Sequence, residues 1–316
     1  MLKDKVCKST KPIPHLYEKA VYKNKGLDLV TPLPPLSSVQ HCLYDISNKG
    51  LCVNKTTFSK MEDVVLPAQF ENFILADYYY EESRIIIFCP PSTRNKLGEI
   101  NVIMGDGTFK CYPKPFYQLY SIFGDIGSSV ETTKVTPLLF ALLPNKKEVT
   151  YNVMFCLFKS QLPDFDPKIY SYNCDFKQGA NNAIQMVYLK VEVRGCFYHW
   201  HRALWRKAKL LNLKSKGQKR IVGLTAARPL LLEDNMPDGF HYIISEGTAL
   251  KTDKFFKYVE SFWKIRYFET ILCFGLRFRA NNALEGFHAK INKKINKNSI
   301  NLLWLLSVLS TIRIAK

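Results

Sequence analysis

From residue 65 onward the chain alternates short apolar runs with polar breaks, and the spacing of the runs sets the expected elements. Phe73-Ile74-Leu75-Ala76 and Arg84-Ile85-Ile86-Ile87-Phe88-Cys89, divided by Tyr78-Tyr79-Tyr80-Glu81-Glu82, predict a strand hairpin. Three further runs, Ile100 to Met104, Tyr117 to Phe123 and Val135 to Leu142, are each bounded by Gly, Pro or Asn and predict three strands in succession. Tyr151, Met154, Phe155 and Phe158 then recur at helical spacing, predicting a helix from about Glu148 to Leu162 that stops near Pro163. A strand over Ile169 to Cys174, a helix over Ala180 to Tyr188 and a short strand over Val191 to Cys196 follow. The order is β-β-β-α-β-α-β. Three consecutive strands favour an antiparallel meander, and each strand reached through a helix can add in parallel, so the expected fold is α/β with a mixed five-stranded sheet flanked by helices. Beyond Phe197 the spacing is helical almost throughout, through Leu204, Trp205, Ala208 and Leu211, then Phe255, Tyr258, Val259, Phe262 and Trp263, then Leu284, Phe287 and Ile291, and Leu302 to Leu309. No internal repeat is visible.

Composition narrows the class. At 316 residues, with 47% apolar and 13% aromatic side chains, the chain can bury one large core or two medium ones, which excludes disordered, collagen-like and coiled-coil readings. The net charge of +18 exceeds what solubility needs and points to a polyanionic partner, nucleic acid or an anionic membrane face. The start of the chain is lysine-rich with no apolar stretch behind it, and the run Ile300 to Ile312 is interrupted by Asn301, Ser307, Ser310 and Thr311; a soluble intracellular protein, with no membrane partner, is expected. Nine scattered cysteines without a C-x-x-C pair argue for reduced core thiols over a disulfide framework or a ribbon-type zinc site, and without a secretory route the sequon at Asn54 carries little weight. The first sixty residues hold ten lysines against four acids and the cluster Thr31-Pro32-Leu33-Pro34-Pro35, which reads as an accessory segment containing an extended stretch.

Absences remove further classes: there is no Walker A loop, no G-x-G-x-x-G, no G-x-S-x-G elbow and no H-E-x-x-H. What stands out is Met104-Gly105-Asp106-Gly107-Thr108-Phe109, a carboxylate where an apolar strand ends, between glycines that let backbone and ligand approach closely. Asp-Gly is equally an ordinary turn signal. A second acid, Asp175, ends the fourth strand in the same way; if the first and fourth strands are neighbours, the two carboxylates repel and one is pushed towards protonation unless a cation lies between them. Glu285 is the lone acid among eight basic residues from Arg277 to Lys316, and it either pairs with Lys290 or Arg279 or joins the aspartates. Asp106, Asp175 and Glu285 together would make a hard, all-oxygen ligand set suited to magnesium or manganese. Between Lys190 and Arg220 lie ten basic residues against Glu192, among them Arg194, Arg202, Arg206, Lys207, Lys209 and Lys214, interleaved with Trp200, His201 and Trp205. This is either a solvated helix face or a phosphate-contacting surface whose aromatics stack on unpaired bases.

Six motifs in order, Asp106-Gly107-Thr108-Phe109, Pro115-Phe116-Tyr117-Gln118-Leu119-Tyr120, Ala141-Leu142-Leu143-Pro144-Asn145-Lys146, Asp175-Phe176, Gly195-Cys196-Phe197-Tyr198-His199-Trp200 and Asn281-Asn282-Ala283-Leu284-Glu285-Gly286-Phe287-His288, resemble the Mutator-like element (MULE) transposase domain over residues 65 to 312. The resemblance implies a ribonuclease-H-like DDE transposase with catalytic, metal-binding residues Asp106, Asp175 and Glu285. It implies a basic accessory segment over 1–64, the first part of the catalytic core over 65–196, a helical insertion over 197–280, and a returning core helix over 281–316. Cys196 and His199 match the family's C-x-x-H element; a zinc site there would need two more ligands, with His201, Cys174 and His288 as candidates, against a structural or DNA-facing role. The activity implied is metal-dependent DNA cleavage and strand transfer with Mg2+ or Mn2+. The partners implied are DNA, as element ends and as target, and a second copy in a homodimer or higher oligomer, in the nucleus. Lys177 departs from the pattern, standing where relatives often carry an acid, and no C2H2 or FLYWCH-type finger precedes the core. The alternative is a domesticated or inactive transposase-derived DNA-binding protein; a structure-directed nuclease on the same scaffold is a third reading.

Overall fold

The computed structural model of the chain describes residues 2–8, 13–24, 34–50, 58–163, 169–264, 270–294 and 302–310. Its centre is one mixed sheet of seven strands: β1 (Ile74–Tyr80), β2 (Ser83–Phe88), β3 (Val102–Thr108), β4 (Gln118–Asp125), β5 (Val135–Leu143), β6 (Ser171–Cys174) and β7 (Glu192–Gly195), in the spatial order β1-β2-β5-β4-β3-β6-β7. The meander β3-β4-β5 is antiparallel, and β6 and β7 add in parallel on the far side of β3. The expected five strands are present within a larger sheet. The difference lies in the hairpin β1-β2, which pairs through β2 with the outer edge of β5 and so covers an edge that would otherwise stand open.

The inner strands β2, β4 and β5 are nearly continuous runs of buried residues because helices cover both faces. Alternate residues divide between two cores: Ile85 and Ile87 with Tyr120, Ile122 and Tyr172 on one face, Ile86 and Phe88 with Met104, Leu119 and Phe123 on the other. The first core is closed by helices Glu148–Gln161 and Gln178–Val187, through Tyr151, Met154, Phe155, Ala183 and Ile184. The second is closed by helices Asn282–Lys294 and Leu302–Ser310, through Leu284, Ile291, Leu305 and Leu309. These helices lie far along the chain from the strands they cover, so the face they complete exists only once the chain has returned.

Between β7 and that return, residues 197–264 are helical: Phe197–Leu210, Lys216–Ala227, Met236–Thr248 and Asp253–Tyr258, the last continuing in a π-type turn through Val259–Lys264. They enclose their own core around Trp200, Leu204, Ile221, Phe240, Phe255 and Trp263. Near the start of the chain, three helices, Leu2–Lys8, Ile13–Asn24 and Leu36–Gly50, share a small cluster of Val6, Ile13, Leu16, Tyr17 and Leu43, where the sequence suggested only an accessory segment. Thr31 to Leu33 and the sequon at Asn54 lie outside the described residues. Cys89, Cys111, Cys174, Cys196 and Cys273 are buried free thiols. Among the described residues no helix is long and apolar enough to cross a membrane.

Candidate functional site

Asp106 lies inside β3, not at its end and not in a turn: it pairs across the ladder with Ser121 of β4, and the strand continues to Thr108. Its glycine neighbours are required by packing. A Cβ on Gly105 would stand 2.4 Å from the Tyr172 hydroxyl, and one on Gly107 would stand 2.4 Å from Gln118 Oε1. Tyr120 and Tyr172, which stand against these glycines, are buried and hydrogen-bonded to each other. With Gly105 and Gly107 directed to the tyrosine side, strand alternation sends the Asp106 side chain to the opposite face, where helix Asn282–Lys294 packs.

Asp175 follows the last residue of β6, and β6 runs parallel to β3 with Cys174 beside Gly105. The next residue on each strand is therefore an aspartate, and the two carboxylates stand side by side. The cation between them is Lys177: its Nζ lies 3.0 Å from Asp106 Oδ1 and 3.0 Å from Asp175 Oδ2, and it donates to the Gly107 carbonyl at 3.3 Å. The ammonium also lies 5.0 Å above the Phe109 ring. Burial alone would lift the Asp106 carboxyl, but His288 and the Lys177 ammonium outweigh it and hold Asp106 down at about 2. Asp175 goes the other way, raised by burial and by the Asp106 charge against the opposing pull of Lys177. Burial disfavours the charged form of Lys177, yet the two aspartates more than compensate and hold it firmly protonated.

His288 is a site residue that sequence reasoning left among candidate zinc ligands. It straddles the Asp106/Ser121 cross-strand pair, with Nδ1 3.6 Å from Asp106 Oδ2 and Nε2 3.1 Å from Ser121 Oγ. Its spacing from Glu285, three residues on one helix, was the available signal, because such residues share a face. The helix is seated by Leu284, fully buried, and by Phe287, whose ring meets Phe123 and Phe140 at 5.1 and 5.5 Å.

Glu285 faces neither Lys290 nor Arg279. Its carboxylate lies 3.9 Å from His199 Nε2, while the Arg279 guanidinium donates to the Leu276 carbonyl. Cys196 follows the last residue of β7 and caps the start of helix Phe197–Leu210, placing His199 in that helix's first turn. The approach of Glu285 is fixed by backbone: Asn281 N–H donates to Cys196 Sγ at 3.4 Å, Phe197 N–H donates to the Arg279 carbonyl at 2.7 Å, and Asn173 Nδ2 donates to the Phe278 carbonyl at 3.2 Å. Among the described residues, Cys196, His199 and Glu285 form the group of three whose ligand atoms all lie within 4.8 Å of one another; Asp106, Asp175 and Glu285 do not form such a group. The Cys/His/Glu group can hold a metal ion. The other suggested ligands are engaged elsewhere: His201 Nε2 accepts from Trp205, and the Cys174 thiol donates to Asn181 Oδ1. The neighbouring Cys196 thiol raises His199, against its partial burial.

The basic stretch divides. Arg202, Arg206, Lys209 and Lys214 are exposed; Arg194 is half-buried and paired with Glu192; Lys207 is half-buried over the Tyr258 ring at 4.9 Å. Trp200 cannot stack on a base, because it is buried in the helical core with its Nε1 donating to the Ala226 carbonyl. No family model and no curated protein sequence matches this chain.

Proposed function

We propose that the chain is a DDE-type, MULE-like transposase with a ribonuclease-H-like core that cleaves DNA and transfers the strand with Mg2+ or Mn2+. The observation that carries this reading is the meeting of Asp106 and Asp175, from register-matched parallel strands, on one cation position. The strand order β5-β4-β3-β6-β7, three antiparallel strands followed by two parallel ones, supports it. So does the return of helix Asn282–Lys294, bearing Glu285 and His288, to the Asp106 face of the sheet.

The oxygen donors at the aspartate pair suit a hard divalent ion, and the position is one that a cation already holds, the Lys177 ammonium. Asp106 and Asp175 would hold the ion once the lysine, a flexible side chain 27% exposed, swings aside. Bound there, the ion supplies Lewis-acid polarisation for attack of a hydroxyl on phosphorus. His288 keeps Asp106 ionised and oriented, Ser121 fixes the imidazole from behind, and the exposed Arg202, Arg206, Lys209 and Lys214 hold the DNA backbone.

The second reading, a transposase-derived DNA-binding protein without cleavage, is favoured by one observation: the Lys177 ammonium already pairs with both aspartates at the cation position. A single comparison separates the two. With Mn2+ the native chain is expected to nick or join DNA and to gain thermal stability, and Asp106→Asn is expected to lose both. In Lys177→Ala, two unbalanced buried carboxylates are expected to lower stability by roughly 3 to 5 kcal/mol in chelator, with Mn2+ restoring much of it. DNA binding with no Mn2+ response in the native chain, but a clear one in Lys177→Ala, would establish the lysine as a permanent occupant and decide for the second reading.

A further inference from the structure

The cluster of Cys196, His199 and Glu285 is a ligand set of different chemistry from the aspartate pair. A thiol, an imidazole and a carboxylate converge with their ligand atoms within 4.8 Å. His199 presents Nε2 to the Glu285 carboxylate at 3.9 Å while its Nδ1 is buried without a hydrogen bond, and Cys196 Sγ accepts from Asn281 N–H at 3.4 Å, an ordinary length for sulfur that leaves the thiol a further lone pair. We propose that these three side chains form a binding site for one divalent ion of the zinc class, separate from the cation position between Asp106 and Asp175. Sulfur and imidazole nitrogen select zinc or cobalt over magnesium, whose preference is for oxygen alone. Tetrahedral zinc holds its ligand atoms about 3.5 Å apart, so the three atoms need to close by only about an ångström. Three protein ligands leave a fourth position for water.

The framework is pre-organised for such a site. Cys196 and His199 sit three residues apart at a helix start, and Glu285 rides on a helix seated by Leu284. Entry is open from the side of His199 and Glu285, whose side chains are 32% and 33% exposed. The third ligand that C-x-x-H lacks in the sequence is thus supplied from nearly ninety residues downstream. The site does not depend on the transposase reading, though it engages Glu285, the acid which that reading would otherwise share with the aspartates.

The test is a cobalt titration of the full chain, purified reduced and stripped of metal, followed by the thiolate-to-cobalt charge-transfer band in the near ultraviolet. The expected result is one Co2+ per chain, displaced by an equivalent of Zn2+ and not by a large excess of Mg2+. The band should vanish in Cys196→Ser, persist in Cys156→Ser, and require about tenfold or more additional cobalt in Glu285→Gln. No band at one equivalent, or a band that survives Cys196→Ser, overturns the site. Should Cys196→Ser fail to fold by circular dichroism, Glu285→Gln decides alone, and native cobalt affinity in that variant overturns the site equally. Failure here leaves the Mn2+ response at Asp106 unaltered, so the two readings fail separately.

Discussion

The residue with the largest influence on this site is a lysine that the sequence marked only as a departure. Lys177 reaches back from two positions beyond Asp175 to touch both aspartates, and the pair titrates asymmetrically as a result: Asp106 is held at about 2 while Asp175 is raised. The two shifts have opposite consequences for stability. The Asp106 contribution is fully present above its ordinary value near 4 and is lost as pH falls towards 2; it amounts to roughly 2 kcal/mol. The Asp175 penalty is present at neutral pH and is relieved as pH falls through its raised value. In urea unfolding at pH 5 and pH 2.5, Asp106→Asn is therefore expected to lose less stability between the two conditions than the native chain. Equal losses would mean that Asp106 is not held low in the folded state. The sequence required some cation between neighbouring carboxylates, and that requirement was legible; that a side chain of the same loop meets it depends on the conformation after β6, which no local pattern encodes.

At the scale of elements, the strands and helices of residues 100–196 lie within a few residues of where hydrophobic spacing puts them, because a run of Leu, Ile and Phe between Gly, Pro and Asn has few alternatives. Pairing is a separate matter. The hairpin β1-β2 carries no signal that it joins β5, and Asp106 read as a strand end because Gly and Asp punctuate turns more often than they lie within ladders. Helix Asn282–Lys294 is the element on which both candidate sites converge, since it presents Glu285 to His199 and His288 to Asp106. Leu284→Ala, at a fully buried position, is expected to lower stability by about 2 to 5 kcal/mol in denaturant titration. A loss well under 1 kcal/mol would show that the helix is not seated by this side chain.

For the molecule as a whole, the charge of +18 is the property a polyanion meets first. Among the exposed members of the basic stretch, Arg202, Arg206 and Lys209 lie on the helix that carries His199 and Lys214 follows it, so this part of the proposed DNA face adjoins the candidate site through one rigid element. Replacing Arg202, Arg206 and Lys209 with glutamate is expected to weaken DNA binding across all sequences and to flatten the dependence of log K on log salt by about three phosphate contacts. An unchanged slope in fluorescence anisotropy would move the interface elsewhere on the surface.

Sequence alone determined the α/β class, the order of the core elements, a helical insertion, expected over 197–280 and found helical through residue 264 but as turns and coil over 270–281, and the residues worth watching: Asp106, Asp175, Glu285, Cys196 and His199. Those features follow from short-range spacing and from residue chemistry, which are written along the chain. Tertiary structure decided the partnerships. It gave the aspartates a lysine, gave Glu285 a cysteine and a histidine, buried Trp200, and set His288 across two strands. Each of these joins side chains whose distance along the sequence says nothing of their distance in space, because that is fixed by how strands pair and by where a late helix packs.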